Sequence, residues 1–121
     1  MKVAICQINP TVGAINKNKE KHLIWYEKAK KLGAQLIVFP ELSLLGYPPQ
    51  DLLLRKKFIE QAHEAIVDLS ANFDIPTIIG STFFENKNLY NSLFLIANKS
   101  IEKIYKKILL PTYDVFDEAR Y

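Results

Sequence analysis

Two side chains in this sequence stand where acid–base or electrostatic chemistry would need them, Glu41 and Lys107, and Cys6 is the only thiol. Glu41 follows the apolar run Leu36-Ile37-Val38-Phe39, which reads as a buried strand stopped by Pro40. Ligand crevices in open α/β layers form at the carboxyl ends of strands. A carboxylate placed there between Phe39, Pro40, Leu42 and Leu44 is expected to be partly desolvated, which raises its pKa and makes it a stronger base near neutrality. The plainer reading is a solvated loop glutamate. Lys107 ends a predicted strand and precedes Ile108-Leu109-Leu110-Pro111. It is either one of many exposed cations or a buried ammonium paired to a carboxylate and able to stabilise an oxyanion. Lys106 points to the opposite face if the strand continues, so one of the two at most faces a crevice. Glu41 and Lys107 are expected to lie close together at one end of the sheet.

The other candidates carry less. Cys6 sits among Val3, Ile5 and Ile8 with no helix N-terminus or cation to lower its pKa, so it reads as a small buried hydrophobe. His22 and His63 have no second histidine or cysteine at ligand spacing, which argues against a zinc site. The glycines at 13, 33, 46 and 80 are scattered, and they form neither a dinucleotide-binding turn nor a phosphate loop.

The elements that must position these residues follow from hydrophobic period and breakers. Lys2–Ile8 predicts a short buried strand, broken by Asn9-Pro10 and Gly13. A helix is predicted from about Asn16 to Leu32, with Trp25, Ala29 and Leu32 on its apolar side, Asn16 or Asn18 as cap and Gly33 as terminator. Gln35–Pro40 is the second strand, followed by the loop Gly46-Tyr47-Pro48-Pro49. A long helix is predicted over Asp51–Phe73, since Phe58, Ala62, Ala65, Ile66, Leu69 and Phe73 recur at helical intervals. Strands then follow at Thr77–Phe83, Leu89–Ala97 and Ile101–Tyr105, joined by turns at Asn86-Lys87-Asn88 and Asn98-Lys99. The pattern is α/β: the first half crosses over and the second half meanders.

Composition bounds the alternatives. The 121 residues allow one domain, and 49% hydrophobic content is ordinary for a globular chain. Sixteen basic against 13 acidic residues leave a net charge of +3, too balanced and too dispersed to suggest nucleic acid. No apolar run is long enough to span a membrane, no signal pattern opens the chain, and one cysteine cannot form an internal disulfide; the expected compartment is the cytoplasm. The tail Leu109–Tyr121 carries Pro111 and several aromatics without a period. A domain is expected to continue past it.

Three segments together resemble the nitrilase superfamily of carbon–nitrogen hydrolases. Gly33-Ala34-Gln35-Leu36-Ile37-Val38-Phe39-Pro40-Glu41-Leu42-Ser43-Leu44-Leu45-Gly46-Tyr47 looks like its glutamate segment. Leu89-Tyr90-Asn91-Ser92-Leu93-Phe94-Leu95-Ile96-Ala97 is similar to its central hairpin, and Tyr105-Lys106-Lys107 to its lysine segment. Within the superfamily, Gly46-Tyr47-Pro48-Pro49-Gln50-Asp51-Leu52-Leu53 and the run from Lys107 to Tyr121 resemble the glutaminase part of glutamine-dependent NAD synthetases.

That resemblance implies part of a four-layer α-β-β-α sandwich of the nitrilase type. It implies Glu41 as general base and Lys107 as the lysine that stabilises the tetrahedral intermediate. Tyr113 resembles a glutamine-binding tyrosine, and Tyr47, Phe116 and Glu118 match positions that line or support the same pocket. The family's nucleophilic cysteine lies downstream of the lysine segment and has no counterpart here, so a chain of these 121 residues is expected to be inactive by itself. No cofactor is implied for this segment; ATP and magnesium are expected of a synthetase domain elsewhere in the protein. Glutamine, that domain and a second copy of the chain are the implied partners, since the tail aromatics would otherwise lack cover. A stand-alone amidase acting on a small amide and a non-catalytic interaction module remain as alternatives.

Overall fold

The computed structural model describes residues 1–47 and 50–107, so Tyr113, Phe116, Glu118 and the rest of the tail lie outside the described residues. The elements in chain order are β1 (Val3–Ile5), α1 (Ile15–Lys31), β2 (Leu36–Val38), a 3-10 turn η1 (Gln50–Leu54), α2 (Lys56–Ser70), β3 (Thr77–Glu85), β4 (Asn88–Ala97) and β5 (Ser100–Lys106). The strands form one sheet in the order β1-β2-β3-β4-β5. Helical crossovers make β1, β2 and β3 parallel, and tight turns make β3, β4 and β5 antiparallel. The fold is α/β, as the periodicity predicts.

Each meander turn is a two-residue loop, closed by the pairs Glu85↔Asn88 and Ala97↔Ser100. Its central residues, Asn86-Lys87 and Asn98-Lys99, all have positive φ. That conformation matches the twist of the flanking strands, and asparagine tolerates it better than most residues.

Strand alternation divides the sheet into two faces. Ile37, Ile79, Phe94 and Ile96 point to the helices and are fully buried with Phe58, Ala62, Ile66 and Leu69 of α2. The opposite face carries Ile5, Phe84, Leu93 and Tyr105, all exposed. Strand β1 is therefore not the buried strand predicted over Lys2–Ile8. It is three residues long and lies at the sheet edge, and Ile5 is 77% exposed because helices cover only one side.

The predicted face of α1 is also corrected. Trp25 and Leu32 are 43% and 69% exposed, while Ile15, Asn18, His22, Tyr26 and Ala29 are buried. Asn18, His22 and Tyr26 recur every four residues, which puts them on one stripe of the helix. They can be buried because each satisfies polar backbone or side-chain groups of a neighbouring loop. Neither asparagine caps the helix; the cap position is Ala14, with no side-chain bond. Gly33 does take a positive φ just past the end.

The long second helix is likewise broken. No single helix face can bury Leu52, Leu53 and Leu54 in succession. The 3-10 turn packs Leu52 and Leu53 against the core and leaves Leu54 out, and Arg55 is extended before α2 begins.

Candidate active site

Residues 40–46 form a compact succession of turns beyond β2, and four separate anchors hold them. Within the loop, Ser43 N–H donates to Pro40 O at 3.2 Å and Gly46 N–H to Leu42 O at 2.9 Å. To the sheet, Leu44 N–H donates to Gly80 O at 3.3 Å. Glycine is needed there, because a Cβ at residue 80 would lie 2.8 Å from Pro40 O and overlap the Leu42 nitrogen. To α1, Asn18 Nδ2 donates to Leu44 O at 2.9 Å, and it also brackets Thr11 through both its amide atoms. Finally, His22 Nε2 lies 2.8 Å from Ser43 Oγ.

Leu42, Ser43, Leu44 and Leu45 are buried under these anchors, and Glu41 is left projecting. Its side chain is 44% exposed. Its neighbours Phe39, Leu42 and Leu44 are themselves buried, so the carboxylate is only partly withdrawn from solvent.

Both described partners of that carboxylate reach the same oxygen. Lys107 Nζ donates to Glu41 Oε1 at 2.7 Å, and Asn91 Nδ2 donates to it at 2.6 Å. Lys107 N–H also bonds to Asn91 O at 2.9 Å, so the lysine backbone is registered against the asparagine that shares its carboxylate. Lys106 goes elsewhere, to Glu85 Oε1 at 2.8 Å, in keeping with strand alternation. The structure thus brings together Glu41 and Lys107, residues 66 positions apart. Tyr47 lies half-buried just past the loop.

Asn91 was not singled out by the sequence reading, although a signal existed. It interrupts the apolar alternation Leu89, Leu93, Leu95 on one face of β4. His22, Asn18 and Ser43 were missed because their partners are remote in sequence.

Cys6 is buried just past β1, with its N–H bonded to Val38 O at 2.8 Å. Burial pushes its thiol pKa up, which lowers the thiolate fraction. A cavity of about 700 Å³ lies between η1, α2 and the β3–β4 hairpin, and Leu53, Ile59, His63 and Phe83 help to line it. Neither Glu41 nor Lys107 is among its lining residues. Among the described residues no group of three or more His, Cys, Asp or Glu side chains is placed to hold a metal ion, and no helix is long and apolar enough to cross a membrane.

The carbon-nitrogen hydrolase family profile matches residues 2–121. The chain belongs to that family. Among curated proteins, the glutamine-dependent NAD(+) synthetase of Synechocystis sp. is 42% identical over 128 residues, covering 98% of this chain and 23% of that protein. The Aquifex aeolicus protein of the same name is 42% identical over 125 residues, covering 100% and 22%. Among solved structures, the glutamine-dependent NAD+ synthetase of Acinetobacter baumannii superposes with a TM-score of 0.93 at 38% identity, covering 98% of this chain and 23% of that one. An amidase from Nesterenkonia sp. superposes at 0.81 with 18% identity, a likeness of fold. The chain spans less than a quarter of the length of the curated relatives it matches.

Proposed function

We propose that this chain is the glutamate- and lysine-bearing part of a glutamine amidase domain, one that supplies ammonia to ATP-dependent synthesis of NAD from nicotinic acid adenine dinucleotide. The observation that carries the reading is the convergence of the Lys107 ammonium and the Asn91 amide on one oxygen of Glu41. A carboxylate so oriented can take a proton from a nucleophile, and a lysine beside it can face the oxygen of a substrate amide. The names of the relatives favour glutamine as that amide.

On this reading the nucleophile is a cysteine beyond Tyr121. Glu41 takes its proton as the sulfur bonds to the amide carbon, and Lys107 stabilises the charge on oxygen. Glu41 then returns the proton to the departing ammonia and activates the water that cleaves the thioester. Cys6 takes no part, and the 121 residues alone release no ammonia. Tyr113, Tyr47, Phe116 and Glu118 line or support the glutamine pocket, and ATP and magnesium belong to a separate synthetase domain.

The test is ammonia release from glutamine by the full-length protein. Glu41→Gln and Lys107→Met are each expected to lower kcat by about 10²–10⁴-fold, the range for removing a positioned general base or an oxyanion donor. Variants as active as the parent would refute the roles assigned. Hydrolysis of simple aliphatic amides with glutamine refused would favour a stand-alone amidase.

A further inference from the structure

We propose that His22 is a positioning residue for Glu41: its imidazole grips the chain on both sides of the glutamate and so sets the direction in which the carboxylate projects. The inference rests on the amidase reading, in which that direction matters.

His22 lies on the buried stripe of α1, fully enclosed. Its ring rests on Phe39, with centroids 4.4 Å apart, and its Nε2 lies 2.8 Å from Ser43 Oγ. Phe39 and Ser43 are the residues two before and two after Glu41.

The protonation state follows from the partners. Nδ1 lies 2.7 Å from Asn18 O, a carbonyl that can only accept, so Nδ1 carries the hydrogen. Burial lowers the ring's pKa to about 4, which keeps it neutral. Nε2 is then an acceptor, and the Ser43 hydroxyl donates to it. Every polar atom of the ring is committed, and the ring cannot rotate without losing two bonds at once. Asn18, one helical turn earlier, holds the next loop residue by donating from Nδ2 to Leu44 O. Two successive rungs of α1 therefore hold two successive loop residues, and the nearer one spans the glutamate.

A ring that merely filled the core would be replaceable by another of similar volume. A positioning ring would not, because the carboxylate must stay within hydrogen-bond reach of Asn91 and Lys107. Misplacement of a catalytic group by about 1 Å can cost roughly 100-fold in rate.

The test uses the full-length protein in four forms beside the parent: His22→Leu, which keeps bulk against Phe39; His22→Gln, which keeps an acceptor toward Ser43; Ser43→Ala; and the double variant of His22→Leu with Ser43→Ala. The expected result is that His22→Leu lowers kcat about 10–100-fold with KM changed less than about 2-fold. Ser43→Ala should follow it, the double variant should be no worse than His22→Leu, and His22→Gln should recover most of the rate. A second readout does not depend on turnover: the side-chain amide resonance of Asn91, assigned by its loss in Asn91→Ala, should shift in His22→Leu toward its position in Glu41→Gln.

Full activity of His22→Leu, additive losses in the double variant, or an Asn91 resonance unmoved by His22→Leu would each overturn the proposal. If the parent protein releases no ammonia, the amidase reading fails on that measurement, and the Asn91 resonance still decides the positioning claim. Should His22→Leu fail to fold, Ser43→Ala and His22→Gln carry the same comparison.

Discussion

Gly80 and Leu42 approach so closely that no side chain fits between them: a Cβ on Gly80 would overlap the Leu42 nitrogen and lie 3.0 Å from the carbonyl carbon of Glu41. Leu42 itself has a φ of +45, an uncommon conformation for a branched residue, and its burial and the turn bonds around it hold it there. Gly80→Ala is expected to push the loop off the sheet, destabilising the protein by about 1–3 kcal/mol as overpacked cores do. By the same displacement it should reduce the proposed amidase turnover by about 100-fold. Thermal unfolding and ammonia release measure the two effects. An alanine variant unchanged in both would show that the approach has slack.

The enclosed neutral His22 makes stability depend on pH. Its pKa falls from 6.5 to about 4 on folding, so the unfolded chain binds its proton first as pH drops. The group's contribution is therefore complete above about pH 6.5, declines as pH falls toward 4 and is gone below that, for a total of about 3 kcal/mol. The residues that touch it, Asn18, Ser43 and Phe39, carry no charge to offset the loss. Urea midpoints compared between the parent and His22→Leu should converge as pH falls from 7 to 4. A constant difference between them would contradict this.

Tyr26 ties α1 to the approach of β3. Its Oη accepts from Asp74 N–H at 3.0 Å and Ile75 N–H at 3.2 Å, and its ring stacks on Phe73 with centroids 4.3 Å apart. Tyr26→Phe keeps the stack and strands two backbone donors, with an expected loss of about 1–3 kcal/mol. Chemical denaturation measures it. A loss under about 0.5 kcal/mol would mean that the donors find other partners.

Cys6 is expected to resist a thiol reagent in the native protein and to react at once on unfolding, since its thiol is buried and its pKa raised. Cys6→Ala should leave the glutamine hydrolysis proposed for the full-length protein intact. Rapid native labelling, or turnover lost in that variant, would reassign the residue.

Much of the fold could be read from short stretches of sequence, and the reasons are local. Alternation with asparagine-led turns marks β3, β4 and β5, and a strand stopped by Pro40 marks the place of Glu41. The pairing of Glu41 with Lys107 is expected because each ends a predicted strand beside an apolar segment. What escaped depends on remote partners. Trp25 outranks His22 and Asn18 on any hydrophobic scale, yet the latter two are buried, because carbonyls and a hydroxyl near Leu44 and Ser43 satisfy them. The exposure of Ile5 follows from the one-sided cover of the sheet by helices, which the pattern of β1 alone does not carry. Asn91 looked like one polar residue in a strand until the carboxylate 50 positions away came to meet it.

The meander turns of the second half have a consequence for the order of assembly. β3, β4 and β5 are joined by two-residue loops, and hairpins of that kind close in about 1–10 μs. The bonds from Glu41 to Asn91 and Lys107 instead span 50 and 66 residues, and the parallel strands that carry the glutamate must wait for two crossovers. The expected sequence is that the amide and the ammonium are registered together on a finished hairpin before the carboxylate arrives. Pulse-labelled hydrogen exchange should then protect Leu93 and Phe94 ahead of Leu44 and Gly46. If Glu41 is the base proposed above, chemical competence would be the last property the folding chain acquires, and a partly folded chain would lack it.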